Sequence, residues 1–181
     1  MTDPKNFDVV LFPDPVLRKE TEEITAFDDE LKGVVEGMFE RMFESQGVGL
    51  AAPQVGLSMR LFVLNDEGDK DKPERNLALI NPTIKSFGGK KTRHEEGCLS
   101  LPGVHADITR PEKCVVHHFD VDGNEVEKEY DGFVARIIQH EYDHLQGVLL
   151  VDRMTPSDKL RNRAAVDELK AAYRQHIANQ S

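Results

Sequence analysis

The chain is poor in cysteine, with only Cys98 and Cys114 among its 181 residues. That excludes a disulfide framework and leaves room for one bridge at most. No uninterrupted apolar run approaches the roughly 18 residues a bilayer span needs, so a transmembrane helix is excluded. No segment recurs at a period of about 20–50 residues, which removes solenoids and propellers. The opening residues Met1-Thr2-Asp3-Pro4-Lys5-Asn6 lack the basic and apolar regions of a secretory signal. Positive charge is in deficit as well. The formal net charge is −10, which argues against a broad nucleic-acid footprint. What is present, 39% hydrophobic and 31% charged residues, suits one globular core, and a cytoplasmic enzyme is the expected class.

The charge is uneven. From Arg153 onward six basic residues stand against three acidic, a tail of +3 on an acidic chain. Lys159, Arg161 and Arg163 lie close together in it. Such a tail reads either as a solvated helix or as a basic handle for an anionic partner.

Hydrophobic spacing organises the rest. Leu31, Val34, Val35, Met38, Phe39, Met42 and Phe43 repeat every three or four residues, predicting an amphipathic helix from Asp28 to Glu44. Asp28 or Asp29 is its N-cap, and Gly47 and Gly49 are its stop. Residues 7–19 read as an extended arm with a turn. Short strands are predicted at 60–64, 77–80, 113–120, 126–130 and 149–151, with a turn or edge at Asn81-Pro82 and a hairpin turn at Asp122-Gly123-Asn124. Phe133 to Leu145 switches to helical spacing, and one last helix is expected over 157–178, with Leu160, Ala164, Leu169, Tyr173 and Ile177 on one side. Strands gather in the middle and do not alternate with helices, so the predicted class is α+β. The expected division is a catalytic metallohydrolase domain over 1–154 and a C-terminal helical extension over 155–181, either part of the same domain or a docking tail.

The chemistry concentrates in His140-Glu141-Tyr142-Asp143-His144, an H-E-x-x-H on a predicted helix. Four residues make about one turn, so both histidines leave the same face and can hold one divalent metal. Glu141 lies about 100° around the helix, beside the metal and off the ligand face, where a general base belongs. Two histidines leave the shell a ligand short. Upstream candidates are Cys98, Cys114, His94, His105, His117 and His118. Cys98, in Glu96-Gly97-Cys98-Leu99-Ser100, is the best of these as a soft thiolate. Cys114 sits in a strand and reads as a small buried hydrophobe. His117 and His118 are adjacent in a strand and point to opposite faces. His94, His105 and His176 read as ordinary surface residues. A further segment, Gly47-Val48-Gly49-Leu50-Ala51-Ala52-Pro53-Gln54, permits close backbone approach. Its lone amide, Gln54, is either a structural side chain bonded to backbone or an oxyanion donor. A zinc metallopeptidase with another third ligand, and a catalytically dead binding protein, are the competing readings.

Together the three segments resemble the peptide deformylase family of bacterial type, whose motifs are G-x-G-x-A-A-x-Q, E-G-C-x-S and Q-H-E-x-x-H. Here these are residues 47–54, 96–100 and 139–144. The resemblance implies a metal-dependent hydrolase that removes the formyl group from the N-terminal formyl-methionine of newly made proteins, releasing formate. It implies antiparallel sheets around the H-E-x-x-H helix, with an N-terminal and a C-terminal helix. By the same resemblance Cys98, His140 and His144 are the metal ligands, with Fe²⁺ in the cell and Zn²⁺ often found in purified protein. Glu141 is then the general acid and base, while Gln54 and the backbone N–H of Leu99 stabilise the oxyanion. Gly49 touches substrate, and Val48, Phe133 and Ile137 line a pocket for the methionine side chain. The implied partners are formyl-methionyl nascent peptides and, through the C-terminal helix, the ribosome.

Overall fold

A computed structural model describes residues 7–180. The opening hexapeptide, read above as lacking the features of a secretory signal, lies outside the described residues. The elements are α1 (Asp29–Glu44), β1 (Gly49–Ala51), β2 (Leu61–Asn65), β3 (Asn76–Gly97), β4 (His105–Phe119), β5 (Glu125–Asp131), α2 (Gly132–Leu145), α3 (Leu150–Arg153), α4 (Pro156–Arg161) and α5 (Arg163–Gln180). The class is α+β. The expected sheets are one sheet, five antiparallel strands in the order β1-β2-β3-β4-β5. Register shifts between Ile80 and Thr83, Ile84 and Ser86, and Gly88 and Lys91 interrupt β3, and such bulges bend a strand and increase its twist.

Side chains alternate along β2, and both faces are covered. Leu61 and Val63 join the core built with Leu31, Val35, Met38 and Met42 of α1. Phe62 and Leu64 join the opposite core with Ala135, Ile137, Ile138 and Leu145 of α2. The short apolar run at 61–64 is therefore a strand buried on both sides, with α1 and α2 on its two faces. A third cluster joins Leu101, Val104, Ala106 and Ile108 to Leu149, Leu150 and Met154, with Ala165, Val166 and Leu169 packed against it.

Several boundaries differ from the sequence expectation. Asp28 does cap α1, accepting from Leu31 N at 3.0 Å. The helix ends at Ser45 and Gln46, however; Gln46 takes the left-handed conformation (φ 56°), and Gly49 belongs to β1. Asn81-Pro82 does not end a strand. Asn81 (φ 48°) makes a bulge whose side chain bonds Ile24 N and O at 2.9 and 2.8 Å, and β3 continues to Gly97. Leu149-Leu150-Val151 is not a strand but opens α3, because Asp152 turns back to accept from Leu149 N at 2.8 Å. The last helix is two, α4 and α5, broken at Asn162. Leu160, expected on the buried side, is 73% exposed, and Ile177 is exposed too.

Candidate active site

Helix α2 sits under the sheet with nearly its whole surface covered, polar residues included: Arg136, Gln139, Glu141, Asp143 and His144 are all buried. Its turn brings the rings of His140 and His144 to 5.2 Å between centroids. Cys98, just past the end of β3, faces them, with Sγ 3.4 Å from His144 Nε2. One donor atom from each of Cys98, His140 and His144 lies within 4.8 Å of the others, and these three form the one such group among the described residues. Of the upstream candidates, the structure brings Cys98 to the histidines. Cys114 is buried in the core, where burial pushes its thiol up to about 11.

The donor set fits a divalent transition ion. One thiolate and two imidazoles converge, and the His144 Nδ1 and Glu141 Oε2 atoms are buried beside them without a hydrogen-bond partner among the described residues. Burial raises the Glu141 carboxyl to about 7, although the His140 and Arg110 charges oppose the shift. Burial also lowers His144 well below the usual histidine range. For His140 burial works the same way, but its bonds to Cys98 and Glu96 outweigh it and raise the group.

Glu96 was not singled out from the sequence, yet it organises the site. Burial would raise its carboxyl, but His140 and Arg110 hold it at about 2, so it is an acceptor at neutral pH. His140 Nδ1 therefore donates to Glu96 Oε2 (3.1 Å), so Nε2 is the ring nitrogen left to face the cluster. Arg110 grips Glu96 through Nε (2.7 Å) and Nη2 (3.0 Å), and Arg136 Nη1 adds a bond of 2.7 Å. Arg110 Nη1 continues to Asp143 (3.0 Å), which Arg153 holds from outside at 2.6 and 3.1 Å. The sequence carried Glu96 only as a fixed position of the E-G-C-x-S motif, with no role assigned to it, and gave no sign of its arginine partners.

A cleft of about 420 Å³ contains Cys98 and His140 in its lining, together with Val48, Gly49, Gln54, Leu99, Phe133, Ile137, Glu141 and the run from Leu101 to His105. Every residue read as substrate-binding or catalytic from the sequence thus lines one cavity. Gln54 is 1% exposed. Its Oε1 accepts from Ala51 N (2.9 Å), and its Nε2 donates to Ser100 Oγ (3.1 Å) and faces Cys98 Sγ at 3.5 Å. The amide is both structural and aimed at the cluster. Gly49 is a glycine because Glu141 lies against it: a Cβ there would sit 2.9 Å from Glu141 Cδ and from Ile137 Cγ2.

Fold and site define a class, α+β proteins in which an H-E-x-x-H helix, buried behind an antiparallel sheet, meets a cysteine in a cleft. A family model described as polypeptide deformylase matches residues 7–160, and the chain belongs to the peptide deformylase family. It is 45% identical over 150 residues to a peptide deformylase of Thermotoga sp. strain RQ2, covering 83% of this chain and 88% of that protein. It is 40% identical over 165 residues to peptide deformylase 1B, chloroplastic/mitochondrial, of Arabidopsis thaliana, covering 91% of this chain. The match spans only 60% of that plant protein's length. A crystal structure of the Plasmodium falciparum peptide deformylase superposes with a TM-score of 0.90 at 43% identity, covering 93% of this chain and 98% of that one.

Proposed function

We propose that the chain hydrolyses the formyl group from the N-terminal formyl-methionine of newly made proteins, releasing formate and a free amine. The observation that carries this reading is the convergence of Cys98, His140 and His144 within 4.8 Å beside a buried carboxylate, Glu141, in the cleft of a deformylase-family fold.

Cys98, His140 and His144 would hold one divalent ion, which we assign as Fe²⁺ in the cell, with Zn²⁺ able to replace it in purified protein, consistent with a mixed thiolate and imidazole donor set. When bound, the ion supplies Lewis acidity to the water and carbonyl it meets. Glu141 accepts a proton from the attacking water as oxygen adds to the formyl carbon. It then delivers that proton to the amine nitrogen as the C–N bond breaks. Gln54 Nε2 and the backbone N–H of Leu99 donate to the oxyanion that develops on the formyl oxygen. Val48, Phe133 and Ile137 receive the methionine side chain, and the backbone at Gly49 lies along the peptide. Formate release from formyl-Met-Ala-Ser, with no cleavage of unformylated Met-Ala-Ser, tests the reading against a metallopeptidase. Cleavage of the unformylated peptide without formate release overturns it.

The partners we assign are formyl-methionyl nascent chains and, through the C-terminal helix, the ribosome, in the cytoplasm. No helix among the described residues is long and apolar enough to cross a membrane. Within the tail Arg161 pairs with Asp158 and Arg163 with Asp167, whereas Lys159, Lys170 and Arg174 have no ion pair among the described residues. Charge-driven docking on RNA phosphate weakens steeply with salt. Removing residues 170–181 should therefore lower ribosome cosedimentation at low salt, and equal binding by the shortened chain contradicts the docking.

A further inference from the structure

The break between α4 and α5 coincides with an unusual contact. Asn162 is 7% exposed, and its side-chain amide meets the backbone of His105, the first residue of β4. Asn162 Nδ2 donates to His105 O at 2.8 Å, and Asn162 Oδ1 accepts from His105 N at 3.2 Å. An amide that takes both the N–H and the C=O of one residue does what a neighbouring strand would do. His105 is paired to Gly97 on the β3 side, so Asn162 supplies the missing partner on the outer edge of β4. The amide is itself fixed, since Nδ2 also donates to Asp158 O at 2.9 Å. Asp158 is buried and accepts from Thr155 Oγ1 at 2.6 Å, which locks the first turn of α4.

His105 ends the turn that forms one wall of the cleft, Leu101-Pro102-Gly103-Val104-His105. That turn begins at Cys98, with Leu101 N bonded to Cys98 O at 2.9 Å and Val104 N to Leu101 O at 3.1 Å. Upstream it is pinned at Ser100, whose O accepts from Phe12 N at 2.8 Å and whose Oγ accepts from Gln54. Downstream it is pinned by the Asn162 amide. The packing agrees. Leu101, Val104 and Ala106 share a cluster with Ala165, Val166 and Leu169 of α5, while the distal residues Lys170 and Arg174 are exposed.

We infer that Asn162 is a positioning residue for substrate binding, holding the 101–105 wall of the cleft that Val48 and Phe133 also line, through the two backbone groups of His105. The C-terminal segment is thus divided by role: residues 155–169 belong to the catalytic unit, and only the helix beyond Leu169 is free to dock elsewhere. Asn162 touches no reacting atom. It acts on how well the cleft closes around the peptide, so its loss falls on KM more than on kcat.

This inference rests on the proposed deformylase activity, and the test separates the two. Wild-type protein that releases no formate from formyl-Met-Ala-Ser ends the activity reading whatever Asn162 does. With active wild type, Asn162→Ala should raise KM about three- to tenfold, the scale of one or two lost buried hydrogen bonds, with kcat within twofold. The His105 amide should exchange with deuterium faster in Asn162→Ala, while amides of α1 stay protected. Leu160→Ser, on the exposed side of the same segment, and removal of residues 170–181 should leave KM unchanged. An Asn162→Ala protein with wild-type KM and wild-type exchange at His105 overturns the inference. So does a fall in kcat alone at constant KM, the mark of a reduced fraction of folded enzyme.

Discussion

Glu96 accepts from Nδ1 of His140 at 3.1 Å while its other bonds come from Arg110 and Arg136. A carboxylate so held cannot rotate away, and it fixes both the tautomer and the plane of the imidazole. Glu96→Gln keeps the shape but removes the charge that two buried guanidinium groups face. Breaking a buried ion pair from one side costs about 3–5 kcal/mol, and losing the partner of a ligand histidine weakens metal binding about 10–100-fold. Thermal unfolding and metal retention against a chelator should both show the loss, and unchanged retention would remove Glu96 from the site.

Glu141 is not among the three residues that converge as the proposed metal ligands, so its removal should spare coordination. Glu141→Ala is expected to bind metal like the wild type and to lose about 10²–10⁴-fold in turnover, the usual worth of general acid–base catalysis. Metal content and formate release measured on one preparation decide it. Metal-depleted protein would make Glu141 a ligand, and turnover within a few-fold of wild type would remove it from the mechanism.

Gly49 has no room for a side chain beside Glu141 and Ile137. Gly49→Ala forces the carboxylate or the strand to move, with an overpacking cost of about 1–3 kcal/mol. The expected result is a lower melting temperature together with a fall in kcat larger than that of a glycine away from the cleft such as Gly88, where a Cβ meets its nearest atom, Lys113 Cβ, at 3.6 Å.

A pH effect follows from His118. Its Nδ1 donates to Phe119 O (3.1 Å), so Nε2 accepts from the Tyr130 hydroxyl (3.0 Å), and burial lowers its pKa below 6.5. The folded protein then binds fewer protons here than the unfolded chain once pH drops below about 6.5. The neutral pair stabilises fully above that value, and its contribution declines as pH falls toward the folded pKa. His118→Gln, which cannot take a proton, should flatten the fall in unfolding midpoint between about pH 7 and pH 5. An identical slope in both proteins would place the acid sensitivity elsewhere.

The parts of the fold legible in the sequence were those with a single periodicity. The seven apolar positions of α1 and the i, i+4 histidines of α2 leave little freedom, because a helix dictates which residues share a face. Cys98 was legible through its Gly-Cys context. Glu96 was visible only as a motif position and its role was not, because its contact with His140 spans 44 residues. The second half of β3 was missed since Lys85, Lys90, Lys91 and Arg93 face solvent, and an edge strand guarded by charge shows no alternation. Asn162 broke a helix that its apolar spacing had run straight through. The break is set by the backbone of His105, 57 residues away, and no local pattern announces it.

The central claim is that Cys98, His140 and His144 hold the metal at which a formyl group is hydrolysed. The most direct test loads wild type, Cys98→Ala and Cys114→Ala with Fe²⁺ anaerobically and measures bound metal and formate released from formyl-Met-Ala-Ser. The expected result is one ion per chain with matching formate release in wild type and Cys114→Ala, and loss of most of both in Cys98→Ala. Full metal in Cys98→Ala, or formate release that does not follow metal loading, would contradict the claim.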